Sequence, residues 1–568
     1  MQDILNGLST GFEVAFQPMN LLFVLIGVTV GTLIGLLPGL GPVATIALLL
    51  PLTFNLDPAG AIMMLAGIYY GSMYGGRIPA ILLRLPGDAS AVVTTFDGYP
   101  LAQQGKAGRA LGITAIGSFL GGTVSIIGLS LLAPSLAQVA GGVSSPDMFV
   151  LTALGLVLVS FIGSGSRVKS MTAAALGMLV AVIGLDPITS DERLTFGNYE
   201  LIAGVHVVAI AVGLFGIGEI MKNAEKGFYG GVAKTAVERI LPTKSDWLAT
   251  RWAILRSSII GFFVGIIPGG GGTISAVIAY GSERRFSKNP EKFGKGAMDG
   301  LAATETADNA SSNSAFLPLL TLGVPPNPVL ALIFGALLLH NITPGPQMMD
   351  ENPDVFWGVI ASMYVGNILL LILNLPLIGM FTKILKVPGS IMAPIIIVVA
   401  IAGVYSVRNS MLDVLMAIIF GAVGYILRTF NYDLGPFILG FILGPIIEQH
   451  FRRSMQLSDG SFEIFFTRPI PLVVLSLLLV GIIWFTIDAR RKKNSPTMDP
   501  YQEAIRSGAN NGEETPELAT AKVTTQATAA TETEVREADA EQPVTKPVRP
   551  AEGPNPEEPR QDESGRTD

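Results

Sequence analysis

Residues 304 to 314 read TETADNASSNS, a run of hydroxyl, amide and carboxylate oxygens set inside an apolar stretch. Such oxygens are hard ligands that suit Na+ or hydrogen-bond a carboxylate. On a helix, Asp308, Ser311 and Ser312 share one face at i, i+3 and i+4, with Asn309, Asn313 and Ser314 beside them. Ordinary apolar packing would not select so polar a run. Upstream stands a second candidate, Pro268-Gly269-Gly270-Gly271-Gly272-Thr273. Glycine-rich turns cradle phosphates, but a P-loop closes with Gly-Lys-Ser/Thr, and a dinucleotide site needs a preceding strand and a later acidic residue. Thr273 follows with no lysine, so a nucleotide site is not expected.

The third candidate is Arg77, at the end of Tyr70-Gly71-Ser72-Met73-Tyr74-Gly75-Gly76-Arg77. An arginine within an apolar crossing is a functional candidate by default, because it is costly without a partner. It would hold a substrate carboxylate bidentately, or pair internally with Glu305, Asp308 or Asp88. Other chemistries find less support. The chain has no cysteine, which removes disulfides, zinc-thiolate sites and cysteine nucleophiles. His206, His340 and His450 are scattered and suggest no metal site. An intramembrane hydrolase would need a base for Ser72 or an aspartate to match Leu85-Pro86-Gly87-Asp88, and neither is evident.

The elements that must carry these residues are membrane helices. Of 568 residues 50 % are hydrophobic and 14 % charged, where soluble domains carry about a quarter charged. Mean hydropathy is +0.53. Apolar stretches long enough to cross a hydrocarbon core of about 30 Å recur from Asn20 to Ile487. The first 20 residues lack the basic n-region of a cleaved signal, so the run from Leu21 reads as a retained membrane segment. The net charge of −7 is unevenly spread, and no nucleic-acid partner is expected.

The glycine motif occurs twice. GTLIGLLPGLGPVATIA (31–47) and GFFVGIIPGGGGTISAV (261–277) share Gly-x3-Gly-h-h-Pro-Gly-x-Gly at an offset of 230. A second pairing follows in the same order: SMYGGRIPAILLRLPG (72–87) and SSNSAFLPLLTLGVPP (311–326), with prolines seven apart in both. Two pairings in one order imply duplication. The mirrored tip adds Gly39, Gly41 and Pro42 to the candidates, and the far end of the second copy adds Gly323, Pro325 and Asn327.

Basic residues orient the halves, because short cytoplasmic loops carry the Lys/Arg excess. Around the second motif, 222–256 holds seven Lys/Arg and 281–299 holds five; around the first, 1–19 and 51–60 hold none. The two segment pairs should therefore enter from opposite sides. Further crossings are expected near 59–83, 110–139, 147–163, 170–187, 200–221, 355–378, 389–407, 411–428, 436–449 and 469–487, with a broken crossing near 300–340. The fold predicted is an all-α polytopic membrane protein of about eleven crossings plus two re-entrant or hairpin pairs in inverted-topology repeats. Its parts are a first membrane half (1–221), a cytoplasmic basic linker (222–256), a second half (257–487) and a cytoplasmic tail (488–568). The tail is rich in Thr, Ala, Glu and Pro with Tyr501 its only aromatic, a composition expected to be disordered. Against the rule, 451–468 is predicted external although it carries Arg452, Arg453 and Arg468.

Backbone groups freed where a helix breaks cannot face lipid; they meet protein, water or a solute. Oppositely oriented repeats with broken segments recur in secondary transporters, where helix N-termini face anions and unwound carbonyls hold ions. Gly269 to Thr273 would then be a tip that approaches a solute or coupling ion. A plainer alternative is that the glycines only permit close helix packing.

At these residues the chain resembles the TctA family, the large membrane subunit of the tripartite tricarboxylate transporters. The resemblance spans about Leu22 to Ile487 and rests on GLLPGLGPVATIALLLPLTF, on YYGSMYGGRIPAILLRLPGDASAVVTTFDGYPLAQQGKAGRALG, and on PGGGGTISAVIAYGSERRFSKNP through GAMDGLAATETADNASSNSAFLPLLTLGVPPNP. It implies a bacterial inner-membrane permease working with a small TctB-like membrane subunit and a TctC-like periplasmic solute-binding protein. It also implies import of carboxylates on an ion gradient, commonly Na+, with H+ the alternative and no other cofactor. The long tail departs from the family's pattern. Alternating access, of an elevator kind by similarity to other transporters with paired hairpins, is the expected mechanism. A stand-alone symporter or an anion channel is the alternative.

Overall fold

The computed structural model describes residues 2–37, 41–162, 166–186, 188–226, 240–376 and 389–476. The first tip, Pro38-Gly39-Leu40, the middle of the basic linker, the end of the last expected crossing and the tail lie outside the described residues. The chain divides into two units, Met1–Pro496 and Thr497–Asp568, and the described residues all belong to the first.

A helix not expected from the sequence, α1 (Gln2–Ala15), precedes the first apolar run. Then come α2 (Pro18–Gly35), α3 (Pro42–Thr53), α4 (Pro58–Leu83), α5 (Ala91–Gln103), α6 (Ala107–Gly141), α7 (Ser145–Ile162) and α8 (Arg167–Ala181). A two-residue hairpin pairs Gly184 and Leu185 with Arg193 and Glu192. Helix α9 (Val207–Ala211) passes through a π turn (Val212–Ile217) into α10 (Gly218–Lys226). The second half holds α11 (Lys244–Ile266), α12 (Gly271–Phe286), α13 (Met298–Ser314), α14 (Phe316–Leu322), α15 (Pro328–Leu339), the single turn α16 (Met348–Glu351) and α17 (Pro353–Asn374). It continues with α18 (Gly389–Arg408), α19 (Met411–Thr429) and α20 (Gly435–Leu457), followed by a helical turn at Ile464–Thr467 and helix over 469–476.

Among the described residues six helices are long and apolar enough to cross a membrane: α2, α6, the α9–α10 span, α11, α17 and α19. The chain is an all-α membrane protein. Twelve-residue α3 and α15 reach only about 18 Å at 1.5 Å per residue, short of a hydrocarbon core. Three details differ from the sequence expectation. The stretch between the crossings near 59–83 and 110–139 is not all loop but contains α5. The broken crossing near 300–340 is three helices, interrupted at Ala315 and again over 323–327. Helix α20 runs eight residues past 449, to Leu457, carrying Arg452 and Arg453 within it.

Proline, capping and glycine account for the local breaks. Helix α4 opens with Pro58 at its first turn and Asp57 accepting the Gly60 N–H at 3.3 Å, and it ends where Arg84 turns left-handed at φ 59°. Helix α2 lies parallel on α4 along a glycine stripe: a Cβ on Gly27, Gly31 or Gly35 would run into the carbonyl oxygens of Met64, Ile68 and Ser72. Helix α11 lies on α13 the same way, with Gly261 against Ala307 and Gly265 against Ser311. The helical glycines that precede each tip are thus packing glycines.

The partnerships recur between halves. As α2 packs on α4, α11 packs on α13; as α17 packs on α4, α6 packs on α13; as α15 packs on α3, α5 packs on α12. Helix α4 and the α13–α14 pair run antiparallel. The Tyr69 ring lies 6.2 Å from that of Phe316, tilted by 40°, and its hydroxyl accepts from Asn327, while Arg77, eight residues on, reaches Ser118, which also bonds Asn309.

The basic residues in 451–468 are largely spent on acids. Arg452 binds Asp186 at 2.7 Å and Glu448 at 3.2 Å, Arg193 pairs with both acids, and Arg468 binds Asp147 at 2.9 Å. The backbone N–H of Thr189, then Arg452 and Arg193, hold the Asp186 carboxyl well below the usual range.

Candidate functional site

The three chemistry-bearing runs meet where α4 crosses α13. Helix α13 is polar yet buried along its length from Gly300 to Ser314, so its polar groups must find partners inside the protein. Most do so locally. The hydroxyls of Ser311 and Ser312 donate to the Asp308 carbonyl at 2.9 Å, Ser314 donates to Ser311 O, and Asn313 Nδ2 donates to Asn309 O.

Arg77 is fully buried. Its guanidinium lies 4.5 Å from the Tyr74 ring centroid, and Nη1 donates to Ser118 Oγ at 3.1 Å. Tyr74 is itself fixed, its hydroxyl donating to Asn367 Oδ1 at 3.1 Å. Ser118 also accepts from Asn309 Nδ2 at 2.8 Å. Nε and Nη2, the two nitrogens of one guanidinium edge, have no hydrogen-bond partner among the described residues. None of the three expected carboxylates pairs with it. Glu305 instead accepts the Thr94 hydroxyl on Oε1, and its Oε2 is unpartnered.

The hairpin tip abuts Asp308. A Cβ on Gly272 would collide with Asp308 Oδ1 and stand 3.2 Å from Ser90 Cβ. Asp308 Oδ1 has no hydrogen-bond partner and its residue is buried. The tip is built by Gly269 at φ 79°, whose N–H donates to Pro326 O at 2.9 Å, by Gly270 as the helix cap, and by Gly271 at φ 41°. Beside it, Asp88 Oδ1 accepts from the backbone of Ser90 and Ala91 and from the Ser90 hydroxyl at 2.5 Å. Asn327 does the corresponding work for α15, accepting from Leu330 N–H at 2.9 Å and donating to Tyr69 at 3.1 Å.

Of the sequence-predicted residues, Tyr74, Arg77, Gly272, Asp308, Asn309, Ser312 and Asn327 gather at or beside this crossing. Others sit apart from it. Ser72 is buried with its hydroxyl on Tyr69 O, and Gly75 packs against the Thr32 carbonyl. Gly76 lies beside the Asp88 carboxylate and Gly87. Gly41 and Pro42 begin α3, Thr273 belongs to the first turn of α12, and Gly323 ends α14 left-handed at φ 68°, ahead of Pro325. Gly39 is outside the described residues. Asp88, Ser90, Thr94, Ser118, Glu305 and Asn367 were not among the predicted site residues. Asp88 was within reach: it stands 239 positions before Asn327, the offset that aligns Pro79 with Pro318 and Pro86 with Pro325.

A buried arginine edge in continuous α4, where it crosses the buried polar helix α13, marks the candidate functional site of an all-α polytopic membrane protein. The chain belongs to the tripartite tricarboxylate transporter TctA family, whose model matches residues 21–439. It is 43 % identical over 482 residues to the "Uncharacterized 52.8 kDa protein in TAR-I ttuC' 3'region" of Agrobacterium vitis, covering 85 % of this chain and 95 % of that one. It is 45 % identical over 233 residues to the "Uncharacterized protein in TAR-II ttuC' 3'region" of the same organism, 41 % of this chain and 96 % of that one. No solved structure matches it.

Proposed function

We propose that the chain is the permease subunit of a secondary-active importer of di- or tricarboxylates. It sits in the bacterial inner membrane, receives the anion from a periplasmic solute-binding protein, and works with a small membrane subunit. The observation that carries this reading is the free Nε/Nη2 edge of Arg77. An edge with two parallel N–H donors matches a carboxylate, and a fully buried one is costly to leave empty. Substrate carboxylate docks there, and displaced negative charge on Glu305 and Asp308 is balanced by a coupling cation. The cation is assigned to the Asp308 carboxylate beside the glycine tip with neutral oxygens around it, hard donors that suit Na+ or, alternatively, H+. The antiparallel run of α4 and α13–α14 and the matching helix partnerships support inverted repeats that alternate access about this point.

The test is reconstitution with both partner subunits and uptake over a carboxylate panel, with and without a Na+ gradient. Uptake that persists after the gradient collapses would favour a channel. Within that assay Asp308→Asn is expected to raise the Na+ concentration for half-maximal uptake at least about tenfold. Ser311→Ala, whose hydroxyl is spent on its own helix, should change it less than about threefold. Equal responses would remove Asp308 from the ion site.

Orientation is tested separately. With no native cysteine, a cysteine at exposed Asn6 should react with an impermeant reagent added to intact cells, and one at exposed Lys288 should not. Equal labelling would refute opposed repeats.

A further inference from the structure

Asp97, in α5, is buried with no exposed surface. Its Oδ1 accepts the backbone N–H groups of Gly294 (2.9 Å), Gly296 (2.8 Å) and Ala297 (2.8 Å), and its Oδ2 accepts the Tyr280 hydroxyl at 2.8 Å. Tyr280 belongs to α12; the three amides belong to the segment that leads into α13. Gly294 and Gly296 are left-handed at φ 82° and 104°, which turns their N–H groups toward one point. Hence one carboxylate of the first half fastens two elements of the second.

Helix starts here differ in where their caps come from. Helix α4 is entered through its own Asp57, and α11 through its own Thr243–Asp246 capping box. The N-cap position of α13 is Ala297, which has no side chain able to cap it. The turn before it is instead held from 200 positions away. A cap supplied by the same segment moves with its helix; a cap supplied by another helix is lost when the two separate. Local support comes from the Asp299 carboxylate, which accepts the Gly300 N–H at 3.1 Å and leaves the Gly294, Gly296 and Ala297 N–H groups to Asp97. Helix α5 also carries Ser90 to the Gly272 tip and Thr94 to Glu305, and beyond Asp97 it carries Gln104, whose Nε2 donates to Lys295 O at 2.9 Å. One short helix therefore touches the site at one end and the segment over 287–297 at the other.

We infer that Asp97 is a latch that holds shut the side of the site facing residues 287–297, the cytoplasmic side in the orientation proposed above. Opening that side separates α5 from α12 and the start of α13 and unmakes the four hydrogen bonds together. The inference rests on the transport reading. Asp97 acts through the segment it holds, so it is a positioning residue and not a substrate ligand.

Two readouts test it in the reconstituted transporter. The first uses Leu101→Cys, a buried position on α5 beside Gly296, as the single thiol. Its labelling by a permeant maleimide should accelerate about tenfold when Asp97 is changed to Asn, and by less when Tyr280 is changed to Phe. The second keeps Asp97 and joins Gln104→Cys to Lys295→Cys with a short cleavable cross-linker. Carboxylate uptake should fall to background and return when the linker is cleaved. Cross-linked protein that transports at the uncross-linked rate, or Leu101→Cys that labels equally fast in both backgrounds, would overturn the latch. Should Asp97→Asn fail to reach the membrane, the cross-link decides alone. Absence of any uptake by the uncross-linked parent would sink the transport reading instead, and the labelling comparison would then decide the latch.

Discussion

Arg77→Lys is expected to raise the carboxylate concentration for half-maximal uptake about a hundredfold, with the amount of protein in the membrane little changed. Lysine keeps the positive charge and can still stack on Tyr74, but it has no planar fork. What it loses is the paired Nε/Nη2 edge, which no group among the described residues occupies. Two hydrogen bonds to a charged acceptor contribute together about 3 kcal/mol, and each 1.4 kcal/mol is a tenfold change. A purely internal role predicts a different pattern. If Arg77 served to neutralise Glu305, lysine would serve nearly as well, and the double change Arg77→Gln with Glu305→Gln would recover uptake by removing both charges together. If Arg77 receives substrate, the double change stays inactive. The measurement is uptake against carboxylate concentration, normalised to protein in the membrane. Unaltered half-saturation in Arg77→Lys would remove the arginine from the substrate site.

The residues at this crossing differ in how far their roles could be seen in the sequence, for physical reasons. Arg77 announced itself, because an arginine in an apolar crossing has few structural excuses. The polar run 304–314 was legible as a buried polar helix, yet most of its side chains proved to bond back to their own backbone. Composition cannot separate a hydroxyl offered to a ligand from one turned on the preceding carbonyl. The double glycine motif gave the pairing of segments, since sequence offset survives duplication. It did not reveal that Gly31, Gly35, Gly261 and Gly265 are contact glycines while Gly269 and Gly271 serve backbone shape, because both uses need the same missing side chain. Ser118, Thr94 and Asn367 were hidden for another reason. Ser118 and Asn367 are small polar residues in apolar helices, Thr94 stands beside Thr95 in α5, and only the tertiary crossing gives each its partner. The short helix α5 was missed because Pro86, Gly87 and the basic residues around it read as loop, while its polar contacts lie on other elements.

Gly272→Val is expected to lower uptake about a hundredfold, and Gly281→Ala in the same helix to leave it unchanged. The contrast comes from what a side chain would meet. At Gly281 nothing lies within 4 Å, and alanine there also favours the helix by about 1 kcal/mol. At Gly272 the first added carbon overlaps the Asp308 carboxylate and crowds Ser90. Neither neighbour can yield cheaply. Asp308 is on a helix buried along its length, and Ser90 is tied by its backbone and hydroxyl to Asp88. The tip must then withdraw from the crossing, breaking the Gly269 bond to Pro326 as it goes. Overpacking of this kind costs typically 1–3 kcal/mol, and its upper end corresponds to the expected loss. Gly271 offers a useful intermediate. A side chain there meets no atom within 4 Å, but its φ of 41° strains any β-branched residue. Valine at 271 should therefore impair uptake through backbone strain and leave the Na+ requirement less disturbed than valine at 272. Uptake should be measured against Na+ at saturating carboxylate, with membrane abundance and thermal stability as controls. Should Gly272→Val and Gly281→Ala transport alike, the glycine tip would not approach Asp308 during transport, and the ion site would have to be sought elsewhere along α13.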